Sequence, residues 1–290
     1  MNIIVTGATG FIGQNLIRSL KQMHSVHAII RPTTDQTKVG TDNIFVFNDN
    51  IEVLSQYIID NRIEGVIHLA SLYISEHKSG QIKDLILSNV YFSTALLEAC
   101  AKANVKWFIN TGTIWQNYNA APGVKEYSPV NLYAATKQSF IDIAKFYTET
   151  TDIKFCTLKL CDTYGPGDTR RKIFNLFKQI AETGETLDMS PGDQKLDLLY
   201  IDDVVSGFTH LAEMLHNAEQ LEDEYVLTSG EHHTLKEFAD IFSEVTGMIL
   251  NINWGRRQYR KREVMIPWQG AKLIGWKRKI SLENGIRSLM

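Results

Sequence analysis

The 290-residue sequence predicts an α/β fold, a doubly wound parallel sheet with a smaller C-terminal lobe, and three observations carry that reading. Short apolar runs rich in β-branched residues alternate with longer helical patterns through the first two thirds, as βαβ units require. The first run, "NIIVT", passes straight into "GATGFIG", with Gly7, Gly10 and Gly13 at the opening of an amphipathic helix. After Tyr164 the rhythm breaks at the turn-rich "YGPGDTRR".

Strands are expected near residues 3–6, 26–31, 44–47, 65–69, 106–110, 154–160 and 224–227. The first helix, from about Phe11 to near Met23, lines up Phe11, Ile12, Leu16, Ile17 and Leu20 on one side. Helical patterns over 84–103 (Leu85, Val90, Phe92, Leu96, Leu97) and 132–150 (Phe140, Ile143, Ala144, Tyr147) are apolar on more than one face, so each meets more than one neighbour. The expected division is a dinucleotide-binding domain over 1–165, with sheet contributions from about 195–230, and a lobe over 166–290 that is mainly substrate-binding.

Composition excludes several classes of partner. With 30 Lys and Arg against 33 Asp and Glu, net charge -3, the chain has no electrostatic footprint for nucleic acid or an anionic membrane. Cys100, Cys156 and Cys161 share no metal-ligand spacing, and their odd number fits buried thiols in a reducing compartment, so no metal is expected. No leader-like segment opens the sequence and no apolar run approaches the roughly 20 residues that span a bilayer, which makes the cytoplasm the expected location.

A strand that enters a glycine turn and then a helix N-terminus presents backbone N–H groups to an anion, and the missing Cβ atoms admit a pyrophosphate. This is the Rossmann dinucleotide arrangement, although its spacing differs by one residue from G-x-G-x-x-G. Thr9, Phe11 and Ile12 share the turn and join the glycines as candidate cofactor contacts; a tight turn without a ligand would use the same glycines. The second strand ends in Arg31, where a carboxylate would bind the ribose 2′-OH of NAD and repel a 2′-phosphate. A guanidinium there pairs with the phosphate, which points to NADP(H), against the plain reading of a surface arginine. Asp49, past the third strand, is placed for the adenine amino group or for a helix cap, and Asn50 stands beside it.

"NLYAATKQSF" sets Tyr133 and Lys137 one helical turn apart on the same face. Tyr133 is the candidate general acid toward a ketone. Lys137 is expected to favour its phenolate, lowering its pKa, and to hold the nicotinamide ribose. Thr111 and Thr113 lie at the C-terminal end of a strand, where open α/β sheets bind ligands, and a hydroxyl there can donate to a developing oxyanion. Local strand-end hydrogen bonding is the simpler role for Thr113.

Taken together, "TGATGFIG", "VIHLAS", "SNVYFSTALLEAC", "TGTIWQ", "YAATK", "LKLCDTYGPGD", "YIDDVVSGF" and "LIGWKRKISLENGI" resemble the extended short-chain dehydrogenases/reductases, the superfamily of nucleotide-sugar epimerases, dehydratases and reductases. The resemblance covers nearly the whole chain. It implies that Leu69, Ala70, Ser71 and Asn89 line the cofactor, that Thr111 is the catalytic hydroxyl, and that Ser71, Thr113, Trp115 and Arg171 lie toward the substrate. It also implies that Arg260, in the basic run "GRRQYRKREVM", binds a sugar-nucleotide diphosphate, where a solvated face is the plainer alternative. Trp115 and Gln116 depart from the Tyr and Gly usual at their positions. Sugar-nucleotide 4,6-dehydratases of the superfamily carry Asp-Glu directly after the threonine, where this chain has Gly112 and Thr113, so dehydration is disfavoured. The resemblance is to reductases of the abequose/paratose synthase type, which implies NADPH-dependent reduction of a CDP- or dTDP-linked 4-keto-6-deoxy sugar. An epimerase holding NAD, or a dinucleotide sensor, is the alternative. The same resemblance implies a homodimer built on the helices over 84–103 and 132–150.

Overall fold

The computed structural model describes residues 1–219 and 221–290. Among them seven parallel strands form the central sheet, in the spatial order Glu224–Leu227, β6 (Lys154–Leu160), β5 (Trp107–Thr113), β4 (Gly65–His68), β1 (Asn2–Thr6), β2 (Ser25–Ile30), β3 (Asn43–Val46). The strand order reverses between β1 and β4, the switch point at which open sheets of this kind bind ligands. Alternation along β1 shows why both faces need cover: Ile3 and Val5 enter one apolar cluster and Ile4 the other. On the first face lie α1 (Phe11–Leu20) and α7 (Ile201–His216), burying Leu16, Ile17, Val204 and Phe208. The second is covered by α2 (Ile51–Asp60), α4 (Phe92–Lys102) and α5 (Leu132–Thr150), through Leu54, Ile58, Leu96, Phe140 and Ala144.

All seven expected strands are present. β5 runs on to Thr113 instead of stopping near residue 110, because Thr111, Gly112 and Thr113 continue the ladder opposite Leu158, Lys159 and Leu160. The helix expected to end near Met23 stops at Leu20, where the Lys21 N–H closes the last turn on Ile17 O and the chain turns toward β2. The pattern over 84–103 is a rod in three parts: α3 (Ile82–Ile86), a widened π turn (Leu87–Tyr91), and α4. Asn89 on the π turn is buried, while Ile82, Ile86, Leu87 and Tyr91 stay exposed, as does Phe146 of α5 at 62%.

Beyond β6, a short strand β7 (Asp162–Tyr164) pairs in parallel with Leu198–Tyr200, and α6 (Ile173–Thr183), α8 (Leu235–Thr246) and α9 (Leu282–Arg287) gather around Phe174, Phe177, Phe238 and Phe242. These aromatics belong to the same cluster as α1 and α7, so this part of the chain shares the core of the first sheet face. Cys100 and Cys156 are buried, Cys161 is partly buried, and all three are free thiols. No helix among the described residues is long and apolar enough to cross a membrane.

Candidate active site

The glycine turn is built to bring backbone close to a ligand. Gly7 takes φ +68°, and a Cβ on it would lie 2.9 Å from Ala70 N; one on Gly13 would lie 2.1 Å from Gly7 O. Only glycine at both positions lets the first turn of α1 sit against the end of β1 and the loop after β4. Gly10 is the N-cap and brings no side chain to α1, so the leading N–H groups, at Phe11 and Ile12, have no side-chain cap. Thr9 O accepts a hydrogen bond from Gln14 Nε2 at 3.1 Å, which fixes the turn from behind. An uncapped helix N-terminus beside side-chain-free backbone fits the pyrophosphate of a dinucleotide.

A buried polar chain supports this turn. Ser93 Oγ gives its proton to Asn89 O (2.9 Å), so at 2.8 Å from His68 Nε2 it must accept, and the imidazole is the Nε2–H tautomer. His68 Nδ1 then accepts from Thr6 Oγ1 at 2.8 Å, and Thr6 Oγ1 accepts from Ala70 N at 3.1 Å. Burial, aided by the Lys137 charge, holds the His68 pKa well below its ordinary value, which keeps the ring neutral. Asn89 spends its amide on Leu72 N (2.7 Å), Leu72 O (3.0 Å) and Thr136 Oγ1 (3.0 Å), tying the 69–72 loop to α5. Its side chain is therefore a clamp on the residues Leu69, Ala70 and Ser71.

At the far end of the switch point Arg31 follows β2 with an exposed side chain that makes no hydrogen bond or ion pair with the described residues. Asp49 takes a left-handed φ of 56°, and Asn50 is the N-cap of α2, its Oδ1 accepting from Val53 N at 3.1 Å. The cap of this helix is thus Asn50, with Asp49 in the turn before it.

The α5 N-cap, Asn131, accepts from Ala134 N at 2.9 Å and donates to Ser75 O at 2.9 Å, fixing where the helix starts and so where Tyr133 and Lys137 point. Lys137 is 2% exposed and its ammonium has no partner among the described residues; burial lowers its pKa to about 8. Thr111 Oγ1, at the C-terminal end of β5, is likewise buried without a partner. Unsatisfied buried polar groups are costly and rare, and a cation and a hydroxyl left open suit a polar ligand. Burial pushes the Tyr133 phenol up to about 12, against the pull of the Ser71 hydroxyl and the Lys172 charge. This corrects the expected lowering by Lys137: desolvation exceeds every charge that reaches the phenol.

Residues 3–227 match the family model "NAD dependent epimerase/dehydratase family". The chain belongs to this family. Among curated relatives it is similar to a CDP-abequose synthase of Salmonella muenchen, at 30% identity over 99% of this chain and 96% of the relative. A CDP-abequose synthase of Yersinia pseudotuberculosis is 29% identical over 92% of each chain. In fold it resembles the UDP-glucose 4-epimerase of Thermotoga maritima solved with UDP-glucose, with a TM-score of 0.83, 24% identity, and coverage of 99% of this chain and 97% of that one.

In this epimerase/dehydratase family member the substrate-side candidates divide. Thr113 is committed locally: its hydroxyl accepts from Trp115 N at 3.3 Å, and its N–H donates to Gln116 Oε1 at 3.0 Å. Local strand-end hydrogen bonding thus uses the acceptor side of the Thr113 hydroxyl. Trp115 is half-buried, its ring 5.8 Å from that of Tyr73. Gly112 faces the interior, where a Cβ would lie 2.7 Å from Thr157 Cγ2, 2.8 Å from Lys159 Cγ and 2.9 Å from Gln116 Oε1. Ser71 and Arg171 are exposed, and Arg171 is unpaired among the described residues. Its neighbour Arg170 is locked to Asp168 at 2.7 Å, to Thr163 O at 2.9 Å, and over the Phe11 ring. Arg260 faces Glu76 across 3.6 Å. Sequence reasoning missed Thr6 and Ser93, and also Tyr73, whose ring lies edge-on to Tyr133 at 5.1 Å, with Lys172 over it at 5.2 Å and Asp162 holding Lys172 at 2.7 Å. Thr6, Ser93 and Asp162 fall within the quoted "TGATGFIG", "SNVYFSTALLEAC" and "LKLCDTYGPGD", but nothing local marks the role of any of the five.

Proposed function

We propose that the chain is an NADPH-dependent reductase of a nucleotide-linked 4-keto-6-deoxyhexose, CDP- or dTDP-linked, acting at C4 in cytoplasmic deoxysugar biosynthesis. The observation that supports it most is the buried Thr111 hydroxyl left without a partner at the C-terminal end of β5, together with Tyr133 and the buried Lys137 one turn apart on α5. When bound, the reduced nicotinamide supplies the hydride. Thr111 donates to the substrate carbonyl oxygen and orients it. Tyr133, whose phenol burial keeps protonated well beyond neutral pH, delivers the proton as that oxygen becomes basic. Lys137 anchors the ribose hydroxyls of the cofactor, which relieves its buried charge.

An epimerase with bound NAD is the second reading, favoured by the likeness to solved 4-epimerases, one of them in complex with UDP-glucuronic acid and NAD. Such an enzyme would use Tyr133 as a base first; the likeness to CDP-abequose synthases favours reduction. Dehydration is opposed by the walled-in Gly112. Purified protein given CDP-, dTDP-, GDP- and UDP-linked 4-keto sugars with NADPH is expected to consume NADPH with a CDP- or dTDP-sugar; turnover without added dinucleotide points to the epimerase instead.

Cofactor choice tests the role of Arg31. Arg31→Asp removes the partner of the 2′-phosphate and installs a ribose acceptor, so kcat/KM should shift from NADPH toward NADH, and an unchanged ratio rejects the assignment. Assembly follows from the exposed faces of α3, the π turn and α5. An isologous dimer would bury Ile82, Ile86, Leu87, Tyr91 and Phe146 in both copies. Light scattering at micromolar concentration should give about twice the chain mass of 33.0 kDa, and a monomer mass removes the dimer.

A further inference from the structure

We infer that Lys172, held by Asp162 and seated over Tyr73, is a positioning residue that acts through the Tyr73 ring to orient and electrostatically tune Tyr133. The inference rests on the reading of Tyr133 as proton donor. Lys172 stands at the N-cap of α6, Asp162 opens β7 and Tyr73 lies in the loop after β4, so three separate segments meet only in the fold. The Lys172 ammonium is 2.7 Å from Asp162 and 5.2 Å from the Tyr73 ring centre; that ring meets Tyr133 edge-on at 5.1 Å and Trp115 at 5.8 Å. A cation over the face of one ring, with a second ring against it, fixes the wall that faces the phenol. Asp162 and Lys172, with Thr163, also line a cavity walled by Phe174, Leu196 and Leu198.

Two other cations bear on Tyr73: Arg170, bound to Asp168, and Arg260, facing Glu76. Lys137, on the same helix as Tyr133, has no partner among the described residues and bears on His68. Ser71 offers the phenol a hydrogen bond, but no charge. Asp162 keeps Lys172 protonated and offsets part of its charge, so removing the ammonium also leaves the Asp162 carboxylate without its partner near the phenol.

The test reads Tyr133 itself. With 3,5-difluorotyrosine placed at position 133, fluorine NMR follows the ionisation of this phenol in the full chain, without any substrate. Lys172→Met should raise the midpoint by about half a pH unit to one unit, the scale of a single charge acting across roughly two ring widths. Lys172→Arg should return it, and Lys137→Met should move it less. A folded Lys172→Met whose midpoint is unmoved, or a larger shift from Lys137→Met, overturns the inference; if Lys172→Met does not fold, Lys172→Gln is read the same way. The midpoint is independent of turnover. A shifted midpoint with no sugar nucleotide reduced therefore rejects the reductase and keeps the tuning, and the converse result does the reverse.

Discussion

Tyr133→Phe is expected to lower kcat by about 10²- to 10⁴-fold, or about 3–5 kcal/mol in the barrier, while leaving dinucleotide affinity unchanged. The change removes one oxygen and retains the ring, so the edge-on contact with Tyr73 at 5.1 Å survives and α5 keeps its Asn131 cap. Thr111 would still polarise the carbonyl, but the alkoxide formed at C4 would have no positioned acid. Dinucleotide binding measured by fluorescence separates the two effects. A kcat near the native value removes Tyr133 from the chemistry, and a matching loss of cofactor affinity assigns it to binding.

Lys137→Met should act in opposite directions on activity and on stability. The ammonium is buried without a partner, and its pKa of about 8 against an ordinary 10.5 means that folding disfavours the charged form, by on the order of 3 kcal/mol at neutral pH. Methionine fills similar space without the charge, so protein with no added dinucleotide should melt several degrees higher. The native chain should also gain stability as pH rises from about 8 toward 10.5, because the unfolded chain keeps a proton that the folded one has shed; the variant should lack that rise. Dinucleotide affinity and kcat should both fall. A lower melting temperature without dinucleotide would show that the ammonium has a stabilising partner, and an effect on only one kinetic parameter would narrow its role.

The fold was legible wherever local pattern determines structure. β1, the glycine turn and α1 follow one another within twenty residues, and the strands read as short continuous apolar runs because both faces of the sheet are covered. Tyr133 and Lys137 were visible together because a helix brings residues four apart onto one face. The π turn at Leu87–Tyr91 was not, since one widened turn shifts the phase of an amphipathic pattern without any marker residue. Nor was the His68 chain, assembled from β1, β4 and α4, or the meeting of Tyr73, Asp162 and Lys172. Asn50 was legible as polar but not as the capping group, because the choice between it and Asp49 depends on which side chain the fold turns toward the open backbone N–H.

Gly112 bears on which chemistries this chain can reach by mutation. The acid that the dehydratase pattern calls for would have to grow from a position already walled by Thr157, Lys159 and Gln116. Lys159 is itself pinned between Asn117 and Glu224, each at 2.8 Å, so it has little room to yield. A single codon change at 112 therefore leads to a strained sheet before it leads to a new reaction, and smaller neighbours would have to come first. The route from this chain to an acid at 112 therefore starts in the packing around β5 and not at the residue that would carry the new chemistry.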